Sequence, residues 1–120
     1  MVTSQEIAWA AGFLEGEGTF GGNAQISACQ VQREPLERLQ RYLGGAVTGP
    51  YVWNSDRVRG YKTKPIYHWN VCGAAALGVV MTVYGFLSPR RKEQAKGYLA
   101  RNMKRANRHR WHTQLKLEIA

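Results

Sequence analysis

Apolar and polar positions change period repeatedly along this chain, and each change marks an element. Thr3 followed by Glu6 has the form of a capping box, and Ile7, Ala8, Ala10, Ala11, Phe13 and Leu14 continue as a helix over about residues 4–15, which Gly16 and Gly18 end. Thr19 and Phe20, the turn signal Gly21-Gly22-Asn23, and then Ala24 to Val31 predict a hairpin. In it Ile26, Ala28 and Gln30 alternate against Gln25, Ser27 and Cys29, one set apolar and the other polar. Arg33-Glu34-Pro35 opens a second helix with Leu36, Leu39 and Leu43 on its inner face, Arg38 and Arg41 on its outer face, and Gly44-Gly45 as its stop. A second hairpin runs from Ala46 to Val71 around a basic tip at Arg57 and Arg59; its return strand sets Tyr67, Trp69 and Val71 toward the core and Ile66, His68 and Asn70 away from it. An Ala-rich helix follows Gly73, and Ser88-Pro89 caps a last, basic helix through about Lys104.

The order is helix, two strands, helix, two strands, helices. Hairpins in place of long crossovers predict an α+β fold, a four-stranded antiparallel sheet with helices on one face and a polar, open opposite face. The chain reads as one domain over residues 1–106, with a basic C-terminal tail over 107–120 that shows no clear periodicity. A length of 120 residues suits one hydrophobic core.

Charge changes this picture from a fold to a surface. Seventeen Lys and Arg stand against eight Asp and Glu, a formal charge of +9, yet residues 1–32 contain no Lys or Arg and carry Glu6, Glu15 and Glu17. The region from Pro89 onward holds ten of the basic residues against Glu93 and Glu118. An acidic N-terminal element inside a basic body suggests a carboxylate site held within a surface that attracts polyanions, nucleic acid first among them. A solvated basic face that only aids solubility is the plainer reading. No stretch approaches the roughly 20 apolar residues of a membrane helix, and no secretory signal is read, so an intracellular protein is expected, cytoplasmic or nucleoid-associated. Cys29 and Cys72 lack CxxC spacing and are expected as buried thiols; the three His lack ligand spacing with them, so no zinc site is read.

The segment Ala10-Ala11-Gly12-Phe13-Leu14-Glu15-Gly16-Glu17-Gly18 resembles the signature of the LAGLIDADG homing endonucleases. Four landmarks follow in family order: Gln30-x-x-Arg33-Glu34-Pro35-Leu36, the Gly44-Gly45 stop, the strand Tyr67-His68-Trp69-Asn70-Val71, and Leu87-Ser88-Pro89-Arg90-Arg91-Lys92-Glu93-Gln94. The resemblance implies an αββαββα unit, a homodimer when one motif is present, and Mg²⁺-dependent (or Mn²⁺-dependent) cleavage of both strands of a long, near-palindromic DNA site. It implies no small-molecule cofactor and no membrane partner. Glu17 falls at the position of the metal-binding acid, with the Gly16 carbonyl beside it. Here it is Glu where the motif has Asp. Gln30 falls at the polar position of the water network around the metals, with Gln32 competing for it. Arg33 and the pair Arg91-Lys92 match basic residues near the scissile phosphate, in a register open by one residue.

The residues themselves support parts of this. Ala8, Gly12 and Gly16 fall at i, i+4 and i+8, a stripe without bulky side chains that would let a second helix approach closely, or would simply pack beneath the sheet. Glu15 is expected at the helix end or in that interface. Two such helices about a two-fold axis would bring both copies of Glu17 together, and paired carboxylates coordinate hard cations such as Mg²⁺. For DNA recognition, Asn23, Gln25, Ser27 and Cys29 lie on one face of the first hairpin, and Lys62, Lys64, Ile66, His68 and Asn70 on the second, where polar side chains could address base edges. Arg57 and Arg59 would reach phosphates, and Tyr51 or Trp53 joins this face or the core. The reading is a site-specific double-strand DNA endonuclease of the kind carried by mobile introns or phage genomes. Its alternatives are a non-cleaving binder of the same fold, such as an intron maturase or DNA-binding regulator, and a basic RNA-associated protein.

Overall fold

The computed structural model describes residues 1–21, 24–52 and 64–103. Along them run helix α1 (Ser4–Glu17), strands β1 (Gly18–Gly21) and β2 (Gln25–Gln30), helix α2 (Glu34–Leu43), strands β3 (Ala46–Tyr51) and β4 (Ile66–Cys72), and helix α3 (Gly73–Val83). A single 3₁₀ turn (Tyr84–Phe86) leads to helix α4 over residues 89–103. This is the expected α+β arrangement. The sheet is antiparallel throughout, in the order β1-β2-β4-β3, so the two hairpins meet at β2 and β4 in its centre.

Register explains which side chains are buried. Ile26 faces Val71, Ala28 faces Trp69 and Val47 faces Trp69 on the side covered by helices, while Ser27 faces Asn70, Cys29 faces His68 and Thr48 faces His68 on the other. Ile26, Ala28, Trp69 and Val71 join Ala10, Ala11 and Leu14 of α1, Leu36 and Leu39 of α2 and Tyr98 of α4 in one core. Trp69 is wholly buried and donates its indole N–H to the Gly44 carbonyl at 2.8 Å. A buried Trp removes roughly 150–250 Å² from water, about 4–6 kcal/mol at roughly 25 cal/mol per Å², so this side chain pins α2 to the sheet. Gly45 makes that contact possible. It has φ +90°, and a Cβ there would fall 2.6 Å from the Asn70 carbonyl and 2.9 Å from the indole nitrogen.

Local signals set the helix ends. Thr3 and Glu6 form the reciprocal capping box at the start of α1, an arrangement worth about 1 kcal/mol. The other end runs two residues past the expected stop: Gly16 and Glu17 complete the helix, and Gly18 ends it by turning extended while its N–H reaches Leu14. A Cβ on Gly18 would lie 2.6 Å from the Leu14 carbonyl, so this junction admits only glycine without a shift. In α2, Arg38 departs from the solvated outer face expected of it. Its guanidinium lies 4.0 Å from the Trp9 ring centre and its Nε donates to the Tyr42 hydroxyl at 3.0 Å, a cation–π placement that gathers α1 and α2.

Candidate nucleic-acid interface

The face of the sheet away from the helices carries Gln25, Ser27 and Cys29 from β2 and Ile66, His68 and Asn70 from β4, as alternation predicts. Thr19, opposite Ser27, and Thr48, opposite His68, extend it on both flanks. Tyr51 belongs here too, its ring 5.2 Å from His68 and edge-on to it. Thr19 and Thr48 were legible from the hairpin period; strand pairing adds the neighbours that alternation along one strand leaves unassigned. Both cysteines correct the expectation of buried thiols: Cys29 and Cys72 are exposed. Cys29 Sγ lies 3.2 Å from His68 Nδ1, and partial burial together with the Glu17 charge raises its thiol pKa, which keeps it protonated. Lys64 is exposed at the entry to β4. Asn23, Trp53, Arg57, Arg59, Lys62 and the tail over 107–120 lie outside the described residues.

At one end of this face α1 terminates. Glu17 is exposed there, in the last turn of a helix that carries no basic residue in that turn. The last four carbonyls of a helix have no intrahelical partner, and the C-terminal end of its dipole is negative, so a cation is favoured beside Gly16 and Glu17. Among the neighbouring carbonyls, Leu14 accepts from Gly18 N–H and Glu15 accepts from Arg91 Nε at 3.1 Å. Arg91 is thereby fixed at the end of α1. Its Nη1 also donates to Gln94 Oε1 at 3.0 Å, and its guanidinium stands 5.6 Å from the Phe20 ring centre.

The Glu15 carboxylate turns inward to the start of α4. It accepts from Ser88 N–H at 2.6 Å and from Ser88 Oγ–H at 2.9 Å, with Arg91 Nε 3.8 Å from Oε2. These partners, the Ser88 backbone first, hold its pKa below the ordinary glutamate value. Lys92 points elsewhere, its Nζ 5.7 Å from the Tyr84 ring centre, so only Arg91 of that pair is joined to the acidic end of α1. Arg33 sits at the start of α2, bonded to Glu37 at 2.7 Å and 5.8 Å from the Tyr67 ring centre. An exposed i,i+4 pair contributes about 0.3–0.5 kcal/mol, too little to prevent Arg33 from reaching another anion. Gln30 ends β2 opposite Tyr67 and is half-buried.

The stripe on α1 is open. Ala8 is half-buried, Gly12 and Gly16 are exposed, and ideal Cβ atoms at both glycines would meet nothing within 4 Å. Packing beneath the sheet, the plainer reading of these small residues, falls instead to Ala10 and Ala11.

No family model matches this chain, and no curated protein does. Solved structures do. The homing endonuclease I-CvuI, in complex with the I-CreI target and with the DNA not cleaved in 2 mM Mg, superposes with a TM-score of 0.53 at 20% identity. The chain has the LAGLIDADG homing endonuclease fold. The match covers 77% of this chain and 62% of the solved one, and the same values hold for I-CvuI in complex with its own target in 2 mM Ca. This chain therefore spans about three-fifths of the solved chains it matches.

Glu17 and the Gly16 carbonyl supply oxygen donors, the type Mg²⁺ takes, with no sulfur or imidazole among them. Among the described residues no three His, Cys, Asp or Glu side chains converge as a ligand cluster. The oxygen donors at Glu17 and Gly16 fit a hard cation. No helix among the described residues is long and apolar enough to cross a membrane.

Proposed function

We propose that this protein is a homodimeric, site-specific endonuclease that hydrolyses both strands of a double-stranded DNA site with Mg²⁺ or Mn²⁺. The observation that carries this reading is the junction of the open polar sheet face with exposed Glu17 and the tethered Arg91 at the end of α1. The fold shared with I-CvuI, itself in complex with DNA, supports it.

In this reading the sheet face lies along the major groove. Gln25, Ser27, His68 and Asn70 meet base edges, with Thr19 and Thr48 at its flanks. Glu17 and the Gly16 carbonyl hold the cation jointly with their copies in a second chain, packed against the first along Ala8, Gly12 and Gly16. When bound, that cation supplies an activated water and neutralises charge at the leaving oxygen. Arg91 faces the phosphate as negative charge grows on its oxygens during attack and departure of the ester oxygen; a preset guanidinium there needs no reorganisation. Gln30 orients water, and Arg33 is the second candidate cation. Lys92, held toward Tyr84, is the weaker candidate of the pair.

The test is Glu17→Ala against wild type on a randomised duplex library, with cut ends sequenced in Mg²⁺ and in EDTA and binding measured alongside. Cuts that need both metal and Glu17, at one near-palindromic sequence, are expected, with DNA binding retained by the variant. Binding without any enriched cut would move the assignment to a non-cleaving DNA or RNA binder of the same fold.

A further inference from the structure

Beside the acidic end of α1 lies a cavity of about 350 Å³, between the outer edge of β1 and α4, of whose cations the proposed reaction uses only Arg91. Gly18, Thr19 and Phe20 form one wall, and Arg91, Gln94 and Arg101 the other. β1 is an edge strand, and Thr19 is exposed and shares the open face with Ser27. The cavity is thus continuous with that face.

The basic wall follows from helix periodicity. Ala95, Tyr98 and Asn102 are buried and define the inner side of α4. At 100° per residue, Gln94 and Arg101 fall together on one flank of that stripe, while Lys92 falls on the opposite flank. Arg101 then folds back along its own helix: its Nη1 lies 3.4 Å from where a Cβ on Gly97 would stand, one turn toward the N-terminus. A mid-helix glycine costs about 1 kcal/mol relative to alanine. Along that turn the Arg101 side chain lines the cavity.

Arg91 is neutralised in part by Glu15, whereas among the described residues no carboxylate pairs with Arg101. Arg101 is thus the cation that this polar cavity offers to a ligand, and a guanidinium beside Thr19 and Gln94 favours an anion with several acceptor oxygens. We infer that this cavity is a phosphate-binding site, centred on Arg101, that grips a backbone phosphate of the DNA displaced along the strand from the one facing Arg91. The inference rests on the DNA-binding half of the proposed function and not on cleavage. Its chemistry, a phosphate group, is shared by free phosphate anions, which the test separates.

The experiment compares wild type, Arg101→Gln and Lys96→Gln for binding to a non-specific duplex across a salt series, with thermal stability followed in pyrophosphate. Lys96 carries the same charge but lies on the outer side of α4, paired with Glu93 at 3.3 Å. For Arg101→Gln, the slope of log affinity against log salt should become shallower by about 0.9 per Arg101 in contact, a loss of about eightfold per contact at 0.1 M salt. Lys96→Gln should leave the slope unchanged. Equal effects from both variants would mean that charge alone matters and would overturn the site. So would an Arg101→Gln affinity and slope identical to wild type, including the case where pyrophosphate protects wild type but not the variant, which would assign the cavity to a free anion. Binding of duplex without cleavage by wild type would remove the nuclease reading and leave this inference testable by the same slopes; failure of wild type to bind duplex at all would overturn both.

Discussion

Glu15 and Glu17 stand two positions apart in the signature helix and face opposite ways, because residues i and i+2 of an α-helix are about 200° apart. Glu15 points at the start of α4, where it accepts two hydrogen bonds from Ser88, and Glu17 points to solvent at the end of the open face. The first acid therefore serves the chain's own architecture. Its pKa is lowered in the folded state, so the stabilisation is complete above the ordinary carboxylate range and is lost as pH falls through the folded value. Glu15→Gln should lower the urea midpoint at pH 7, and the gap from wild type should close on acidification toward pH 3. A gap that does not change with pH would show that the charge contributes nothing. In the proposed nuclease the same substitution should slow cleavage by loosening Arg91, whose Nε lies 3.8 Å from the Glu15 carboxylate.

Helix α1 divides its circumference between two tasks. Ala10, Ala11 and Leu14 are buried against the sheet, whereas Gly12 and Gly16 are exposed with no atom near their missing side chains. Within one chain a larger residue at Gly12 meets no obstacle, and replacing a helical glycine with leucine should favour the helix by about 0.8 kcal/mol. Gly12→Leu is therefore expected to fold at least as stably as wild type and to sediment as a monomer. Retention of a dimer would remove this stripe from the interface. Such separation of stability from assembly is possible because α1 is anchored from its other side by Ala10, Ala11 and Leu14, with Trp9 on the flank under Arg38 of α2.

Among the described residues Lys64, Arg91 and Arg101 stand at the borders of the open face. The N-terminal 32 residues contribute no cation, and the basic residues cluster toward the C-terminal half. Folding returns α4 to the end of α1, which places Arg91 against the acidic turn and Arg101 beside β1. A protein of net charge +9 that covers several phosphates should lose affinity for duplex DNA steeply with salt, as displaced counterions recondense on the freed phosphates. A flat plot of log affinity against log salt concentration would contradict a phosphate-binding surface.

Much of this was legible from pattern. A period of two gave the faces of β2 and β4, a capping box and a glycine gave the limits of α1 to within two residues, and Leu36 and Leu39 gave the inner side of α2. These properties are local: they depend on backbone geometry and on which side chains avoid water, and both are encoded within a few positions. What depended on distant contacts had no such signature. The pairing of β2 with β4, the exposure of Cys29 and Cys72, the stacking of Arg38 over Trp9, and the commitment of Glu15 to Ser88, 73 positions away, arise only when elements pack. Sequence supplied the chemical groups and their order; packing decided which of two acids two residues apart, and which of two adjacent cations, faces the site, because a helix turns neighbours in sequence to different sides and only tertiary contacts fix which side is inside.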